Sequence, residues 1–357
     1  MTEQNISMFD GLTSANIAAY WQTRQQQEAP YLGEILFPNT KQTNSLVEFY
    51  KGMTQSPRPL APSSLDAQAI VRDRQGFAKV QAEAKFFKEA KYIDENLRRE
   101  LSNLQGSNDT TRRQIVMERI FDDSSELLRG AALQREIVRM QLLTTGRFSV
   151  QGNGLTVTED YKMATGHQAK ARGNNWGQSG SDPFADIDQA IYTIGTDTGI
   201  TIERAIMNRT TFRTLQANET VKSTLLANNS NTAAVSLPKS ALLDYLQGEL
   251  DVQVQVYDKG YQNLATGTFE KFIPDGMVVF IPVGELGRTV FTSTPEETDL
   301  ALSGAADVSI VDTGVTVTTS TKVDPVTKET KVTQSFIPSF EQIDSVYILD
   351  TAHYTGK

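Results

Sequence analysis

The chain has 357 residues, with 34 Lys and Arg against 43 Asp and Glu for a net charge of -9, two His and no Cys. The lack of cysteine excludes disulfides, thiolate nucleophiles and sulfur-ligated metal sites, and two histidines leave little scope for imidazole catalysis. The acidic balance argues against a dedicated nucleic-acid binder, and no apolar run approaches the roughly 18 residues of a membrane span.

With 39% hydrophobic residues, a chain of this length can bury a sizeable core in two or three compact regions. Its first ten residues are polar and lack the basic and apolar stretches of a secretory signal, so synthesis and function are expected to begin in a cytoplasm.

Residues 1–49 read as an extended arm carrying a short helix over Leu12–Arg24, followed by YLGEILFP (Tyr31–Pro38). Gly33 and Pro38 punctuate that stretch, which cannot form a core alone and must lean on other parts of the chain. Prolines at Pro57, Pro59 and Pro62 then forbid helix and favour an extended loop. After RDRQGF (Arg72–Phe77), Val80, Ala82, Ala84 and Phe86 alternate with Lys79, Gln81, Glu83 and Lys85, the period of a half-exposed strand. A long polar hairpin over 50–92 that projects from its domain is suited to lie across a neighbouring subunit.

The most informative segment is a long amphipathic helix from about Asp109 to Arg147. Val116, Ile120, Leu127, Ala131, Ile137, Val138 and Leu142 recur at threes, fours and their sums, along one face. Asp109 offers an N-cap oxygen and Gly146 a stop. Roughly 36 residues at 1.5 Å each give a rod of about 54 Å with no chemistry on it, which predicts a structural strut. FSV and LTV then flank Gln151-Gly152-Asn153-Gly154, a tight hairpin turn.

Residues 165–275 read as an α/β region. Asp182 caps a helix through Ile194, Arg204–Met207 is a short buried strand, helices follow at Thr210–Gln216 and Lys239–Leu246, and Asn228–Thr232 is an exposed tip. From Gly276 the chain is β-rich: MVVFIP, RTVFTS, DVSIV, GVTVTTSTKV, KETKVTQSF and DSVYIL, with a turn at Asp324-Pro325-Val326-Thr327. The Thr- and Lys-rich strands are expected to show a solvated face, a platform more than a pocket. The neighbours Asp122-Asp123 and Glu296-Glu297 diverge on a helix and read as solvated charges, not an acid/base pair. His167 lies in a polar stretch and His353 near the last residue, and neither is placed for catalysis. Gly177–Gly180 resembles a nucleophile elbow only in passing, with no strand before it.

YLGEILFP, RDRQGF with its alternating strand, RRQIVMERIFDDSSELLRGAALQREIVRMQLLTTGRFSVQGNG, NNWGQSGSDPFADIDQAI, ERAIMNRTTFRTLQAN and FIPDGMVVFIP occur in this order over nearly the whole chain. In that serial order the chain resembles the lambda-type major capsid proteins of tailed bacteriophages, the phage major capsid protein E family. The resemblance implies an α+β capsid-shell fold. Its parts would be an N-terminal arm (1–49), an extended loop (50–92), a peripheral domain with its spine helix (93–165 and 276–357) and an axial domain (166–275).

It also implies a function: hexamers and pentamers that close into an icosahedral shell around double-stranded DNA, in a virion assembled in the host cytoplasm. Heterologous ring contacts, strand addition and apolar anchoring would hold such a shell. Large aromatic side chains dominate interfaces, which makes Phe37, Phe77, Phe86 and Phe87 the expected intersubunit anchors. No catalytic residue, cofactor, metal or membrane is implied. The segment before the arm has no room for a fused scaffold, so a separate scaffold protein is expected, with a decoration protein and a portal as further partners and DNA contacted non-specifically. The competing readings are an encapsulin-like cargo compartment on the same fold and a soluble hydrolase, for which no motif is present.

Overall fold

The long helix predicted from apolar spacing runs from Thr110 to Thr145, 36 residues, or about 54 Å. Gly146, at φ 69°, closes it with its N–H on the Leu142 carbonyl at 2.8 Å. The structure, a computed structural model, describes residues 12–25, 29–51, 60, 62–66, 68, 78–93, 95, 99, 103, 110–226, 236–263, 266–304, 306–324 and 326–352. The expected cap Asp109, the motif Arg72–Phe77, the tip Asn228–Thr232, Pro325 and His353 lie outside the described residues. The chain divides into two compact units, one of residues 1–47, 82–136 and 288–339, the other of 48–81, 137–287 and 340–357. The helix serves the first through Glu136 and the second from Ile137.

In the first unit, the helix Ser14–Gln25 is followed by a short helix, Leu32–Leu36. The strands are β1 (Asn39–Gln42), β4 (Lys85–Ile93), β13 (Thr289–Thr292), β14 (Asp307–Val311), β15 (Val315–Val323) and β16 (Val326–Pro338). They form one sheet in the order β1-β13-β16-β15-β14, with β4 also on β16. β1 runs parallel to β13, Asn39 opposite Thr289. The β15–β16 turn closes with Val323 opposite Val326.

One face of this sheet is apolar. Val315, Val317, Val332, Phe336 and Phe291 are buried on it. Gln334 of that face donates to the Ala131 carbonyl of the long helix at 3.1 Å, and Ser14 at the start of the first helix bonds Asp307 and Ser309 at 2.6 and 2.7 Å. The opposite face differs from the expected solvated platform. Thr292, Thr316, Thr318, Thr333 and Ser335 are buried there, because residues 294–303, including a π-helical turn at Glu296–Leu300, lie over it. Threonine suits such a surface: its branched Cβ packs on the pleat and its hydroxyl bonds laterally, as Thr292 does with Ser335 at 2.7 Å.

The strand pair β2 (Leu46–Lys51) and β3 (Ala78–Glu83) forms a separate two-stranded sheet. The alternating run read as one projecting strand of a hairpin is therefore divided. β3 pairs with β2, the Ala84 N–H bonds the Ser45 carbonyl at 3.0 Å, and β4 joins the large sheet. The break costs little, because each half finds its own ladder.

The second unit holds the hairpin β5 (Arg147–Gly152) and β6 (Leu155–Asp160), turned by Asn153 and Gly154, both at positive φ. Its main sheet combines β7 (Gln168–Lys170), β8 (Arg204–Met207), β9 (Gln253–Val256), β12 (Met277–Ile281) and β17 (Tyr347–Asp350) in the order β7-β17-β12-β8-β9. A small ladder joins β10 (Gly260–Gln262) to β11 (Phe269–Lys271). The compact α/β region thus draws in 277–281 and 347–350, beyond the 166–275 expected from sequence. β12 is why: its MVVFI is apolar on both faces and needs the centre of a covered sheet.

Helices Pro183–Thr198, Arg209–Ala217, Glu219–Leu225 and Lys239–Glu249 belong to the same unit. Ile187, Ile194, Phe212, Leu242 and Leu246 pack with Val278 and Phe280. Asp182, Asn208 and Asn218 each cap a helix through a side-chain oxygen, accepting from Ala185, Thr211 and Val221 N–H at 3.1, 2.8 and 3.1 Å.

Candidate functional site

β4 presents two faces. Its register sets Phe87 opposite Gln334 and Phe86 opposite Ser335, so the two neighbouring phenylalanines point to opposite sides of the sheet. Phe87 turns inward and stacks on Phe336 at 5.1 Å between ring centroids, and Phe336 lies 5.9 Å from Phe291. The Arg135 guanidinium sits 5.6 Å above the Phe291 ring. Phe87 is therefore half-buried in its own subunit.

The other face carries Phe86, Lys88, Ala90 and Tyr92, opposite Ser335, Thr333, Lys331 and Glu329. Phe86 is 43% exposed and Tyr92 55%. Cations dress the two rings: Lys88 Nζ lies 6.0 Å from the Phe86 centroid and Lys322 Nζ 4.3 Å from that of Tyr92. Lys322 also donates to the Tyr92 hydroxyl at 3.1 Å and pairs with Glu329 at 3.2 Å. Exposed aromatics with cationic neighbours make a surface that offers both apolar area and charge to a partner.

Of the four expected anchors, Phe86 alone stands on this surface among the described residues, and Phe77 lies outside them. Phe37 is a correction: its side chain is 0% exposed. Its carbonyl accepts from the Thr289 hydroxyl at 3.0 Å, and the next carbonyl, of Pro38, takes the Thr289 N–H at 2.9 Å. A ring buried inside its own subunit has no area left for another. The alternation of Phe86 and Phe87 was readable as strand, but which of two adjacent aromatics faced the core depended on the pairing with β16.

Glu296 and Glu297, read as solvated, are a second correction. Lys331 donates to Glu296 Oε1 at 2.7 Å and Lys41 to Glu297 Oε2 at 2.6 Å, with side chains only 7% and 8% exposed on the glutamates. Burial raises the Glu296 carboxyl, but the bond from Lys331 and the neighbouring donors outweigh it and hold it below the usual carboxylate range. The two residues do diverge, each to its own lysine. Asp122 and Asp123 remain on the surface, paired with Arg24 at 3.1 Å and Lys91 at 3.6 Å.

His167 bonds Asp197 at 3.1 Å. Ser179 donates to Glu219 at 2.7 Å, in a loop held by other contacts. Among the described residues, no group of three or more His, Asp or Glu is placed to hold a metal ion, and no helix is long and apolar enough to cross a membrane.

A strut-like helix on a mixed sheet, a sheet-and-helix unit built around β12, and a side hairpin are together the parts of a viral shell subunit. The chain belongs to the phage major capsid protein E family, whose profile matches residues 13–351. The fold agrees. It is similar to a protein described as a prophage capsid protein of Escherichia coli CFT073, with TM-score 0.61 and 16% identity over 95% of this chain and 99% of that one. It is also similar to a phage-related protein of Bordetella bronchiseptica RB50, with TM-score 0.56 and 14% identity over 95% and 97%. The capsid protein of cyanophage A-1(L) matches with TM-score 0.51 and 12% identity over 92% and 93%. No curated protein sequence matches this chain significantly. The protein is a shell-forming structural protein of the virion, not an enzyme, and it works as a homo-oligomer.

Proposed function

We propose that the protein forms hexamers and pentamers that close into the icosahedral head of a tailed phage around double-stranded DNA. Membership of the capsid E family over residues 13–351 carries this reading. The net charge of -9 supports a wall to which packed DNA does not stick, so DNA is contacted without sequence preference. Assembly takes place in the host cytoplasm with a separate scaffold protein, and a decoration protein and a portal complete the particle. Residues 1–49 act as the arm and 50–92 as the extended loop, with 93–165 and 276–357 peripheral and 166–275 axial.

Phe86 supplies an apolar anchor between subunits. Its exposure on a sheet face otherwise covered by threonine-bonded chain supports that role. The test is expression with and without the scaffold, followed by sedimentation velocity and electron microscopy. Hollow polyhedral particles are expected from the native chain. Phe86→Asp is expected to leave a folded subunit by circular dichroism while particle yield falls at least tenfold. A native chain that stays monomeric with its scaffold defeats the shell reading, and undiminished particles from Phe86→Asp defeat the anchor alone.

A further inference from the structure

The strands β2 and β3 pair only with each other among the described residues, and a two-stranded sheet has no core of its own to fix its direction. What one face grips therefore decides where it points. Along β2 the side chains alternate: Glu48 and Tyr50 stand exposed, with Glu48 paired to Lys79 of β3 at 2.7 Å, while Phe49 and Lys51 share the opposite face. Both of these grip one turn. Phe49 is buried and stacks on the Tyr161 ring at 5.6 Å between centroids, and that ring also lies 6.4 Å from Phe148 at the root of the β5–β6 hairpin. Lys51 Nζ donates to the Tyr161 carbonyl at 3.2 Å and to the Lys162 carbonyl at 2.9 Å.

The turn has an uncommon shape. Lys162 has φ 53°, in the left-handed region that a residue with a side chain adopts at a cost. Asp160 braces it from within: Oδ1 accepts the Lys162 N–H and Oδ2 the Lys162 ammonium, both at 2.8 Å. The Tyr161 N–H bonds the Gly146 carbonyl at 3.1 Å, where the long helix ends. The N–H donors of the turn are thus held by neighbours in the chain and by the helix end, and two of its carbonyls meet a cation from β2. An ammonium suits that task, since its three N–H donors can serve two carbonyls at once.

We propose that Lys51 is a positioning residue for assembly: its bonds to the Tyr161–Lys162 turn fix the direction of the β2–β3 sheet, and with it where residues 52–77 leave the sheet and return. This rests on the shell reading, in which that part of the chain lies across a neighbouring subunit. The Phe49–Tyr161 stack supplies area, which tolerates sliding, whereas two bonds to fixed carbonyl oxygens do not. A direction set in advance spares the assembling subunit the cost of ordering it at the moment of contact.

Lys51→Met keeps the stem and removes the ammonium. Hydrogen exchange on the full-length protein should then speed up about tenfold at β2 and at Lys162, relative to the amides of β12. Lys51→Arg, which keeps donors for both carbonyls, should stay within about threefold of native. With the scaffold, Lys51→Met should give about tenfold fewer particles, and Lys51→Arg should restore them. Unchanged exchange in Lys51→Met overturns the proposal, as does a rise shared equally by β12, the mark of a merely stabilising contact. Native particle yield from a variant whose β2 exchange has risen also overturns it. Should Lys51→Met fail to fold, Lys51→Gln gives the same reading. A native chain that forms no particles defeats the shell reading alone, and the exchange comparison still decides whether Lys51 holds the sheet.

Discussion

Arg135 Nη1 donates to Gln334 Oε1 across 2.9 Å, and both residues are buried. The bond ties the long helix to the longest strand of its unit. Arg135 also lies 3.5 Å from the Asp312 carboxylate, which burial pushes above the usual range while the guanidinium pulls it down. Burial likewise lowers the Arg135 pKa, although its side chain remains a cation.

Arg135→Ala should therefore destabilise the subunit by about 2–4 kcal/mol in urea unfolding, because the buried Gln334 amide oxygen loses its donor, the part-exposed Asp312 carboxylate loses its cation and the packing on Phe291 is lost. Arg135→Lys should recover only part of this, since an ammonium cannot reproduce the guanidinium fork or its stacking on Phe291.

Acid should loosen the cover over the threonine face. The Glu296 carboxyl is held below its ordinary value in the folded chain. A depressed carboxylate adds stability that is complete above the unfolded value, about 4.3, and disappears as pH falls through the lower folded value. Urea midpoints measured from pH 6 down to pH 3 should fall for the native chain, and Glu296→Gln should flatten that fall while lowering the neutral-pH midpoint.

Phe37 and Phe86 should separate folding from assembly. Phe37→Ala empties a fully buried site and should cost about 3–5 kcal/mol of subunit stability. Phe86→Ala should change subunit stability by at most about 1 kcal/mol and act on particle yield instead. Equal losses of stability would place Phe86 in the subunit core.

Gly146→Ala should cost about 2 kcal/mol or more by thermal unfolding. The position requires φ 69°, and an added Cβ would lie 2.8 Å from Met163 Cβ.

Asp186 organises the loop around Trp176. Its Oδ2 accepts from Trp176 Nε1 at 2.9 Å and its Oδ1 from the Arg172 N–H at 3.0 Å. Asp186→Asn turns one acceptor into a donor facing a donor, and should cost about 1–3 kcal/mol with a red shift of tryptophan emission.

Much of this was legible in the residues. The 36-residue helix, its glycine stop, the Asn153-Gly154 hairpin and the Asp182 cap follow from local spacing and turn chemistry, and the structure places them within a few residues of expectation. The family resemblance in serial motifs agrees with the profile match over residues 13–351. Pairing was not legible. Thr316, Thr318 and Thr333 look like a wet strand face until the segment at Glu296 covers them. Phe37 looks like an anchor until the Thr289 backbone closes on it. Arg135 carried no sequence signal at all, since an arginine on a helix is ordinarily solvated and only the strand at Gln334 makes it a core residue.

The parallel pairing of Asn39 with Thr289 has a consequence for synthesis. The strand Asn39–Gln42 has no mate until some 250 further residues have been added, and the helix Ser14–Gln25 likewise awaits Asp307 and Ser309. By contrast, the unit around β12 receives most of its strands within a shorter stretch, lacking only β17. On the ribosome these two segments must remain unmated until residues 289–309 have been made. A nascent chain released before β13 would expose the very edge that β13 was to cover, making truncated products sticky toward complete ones.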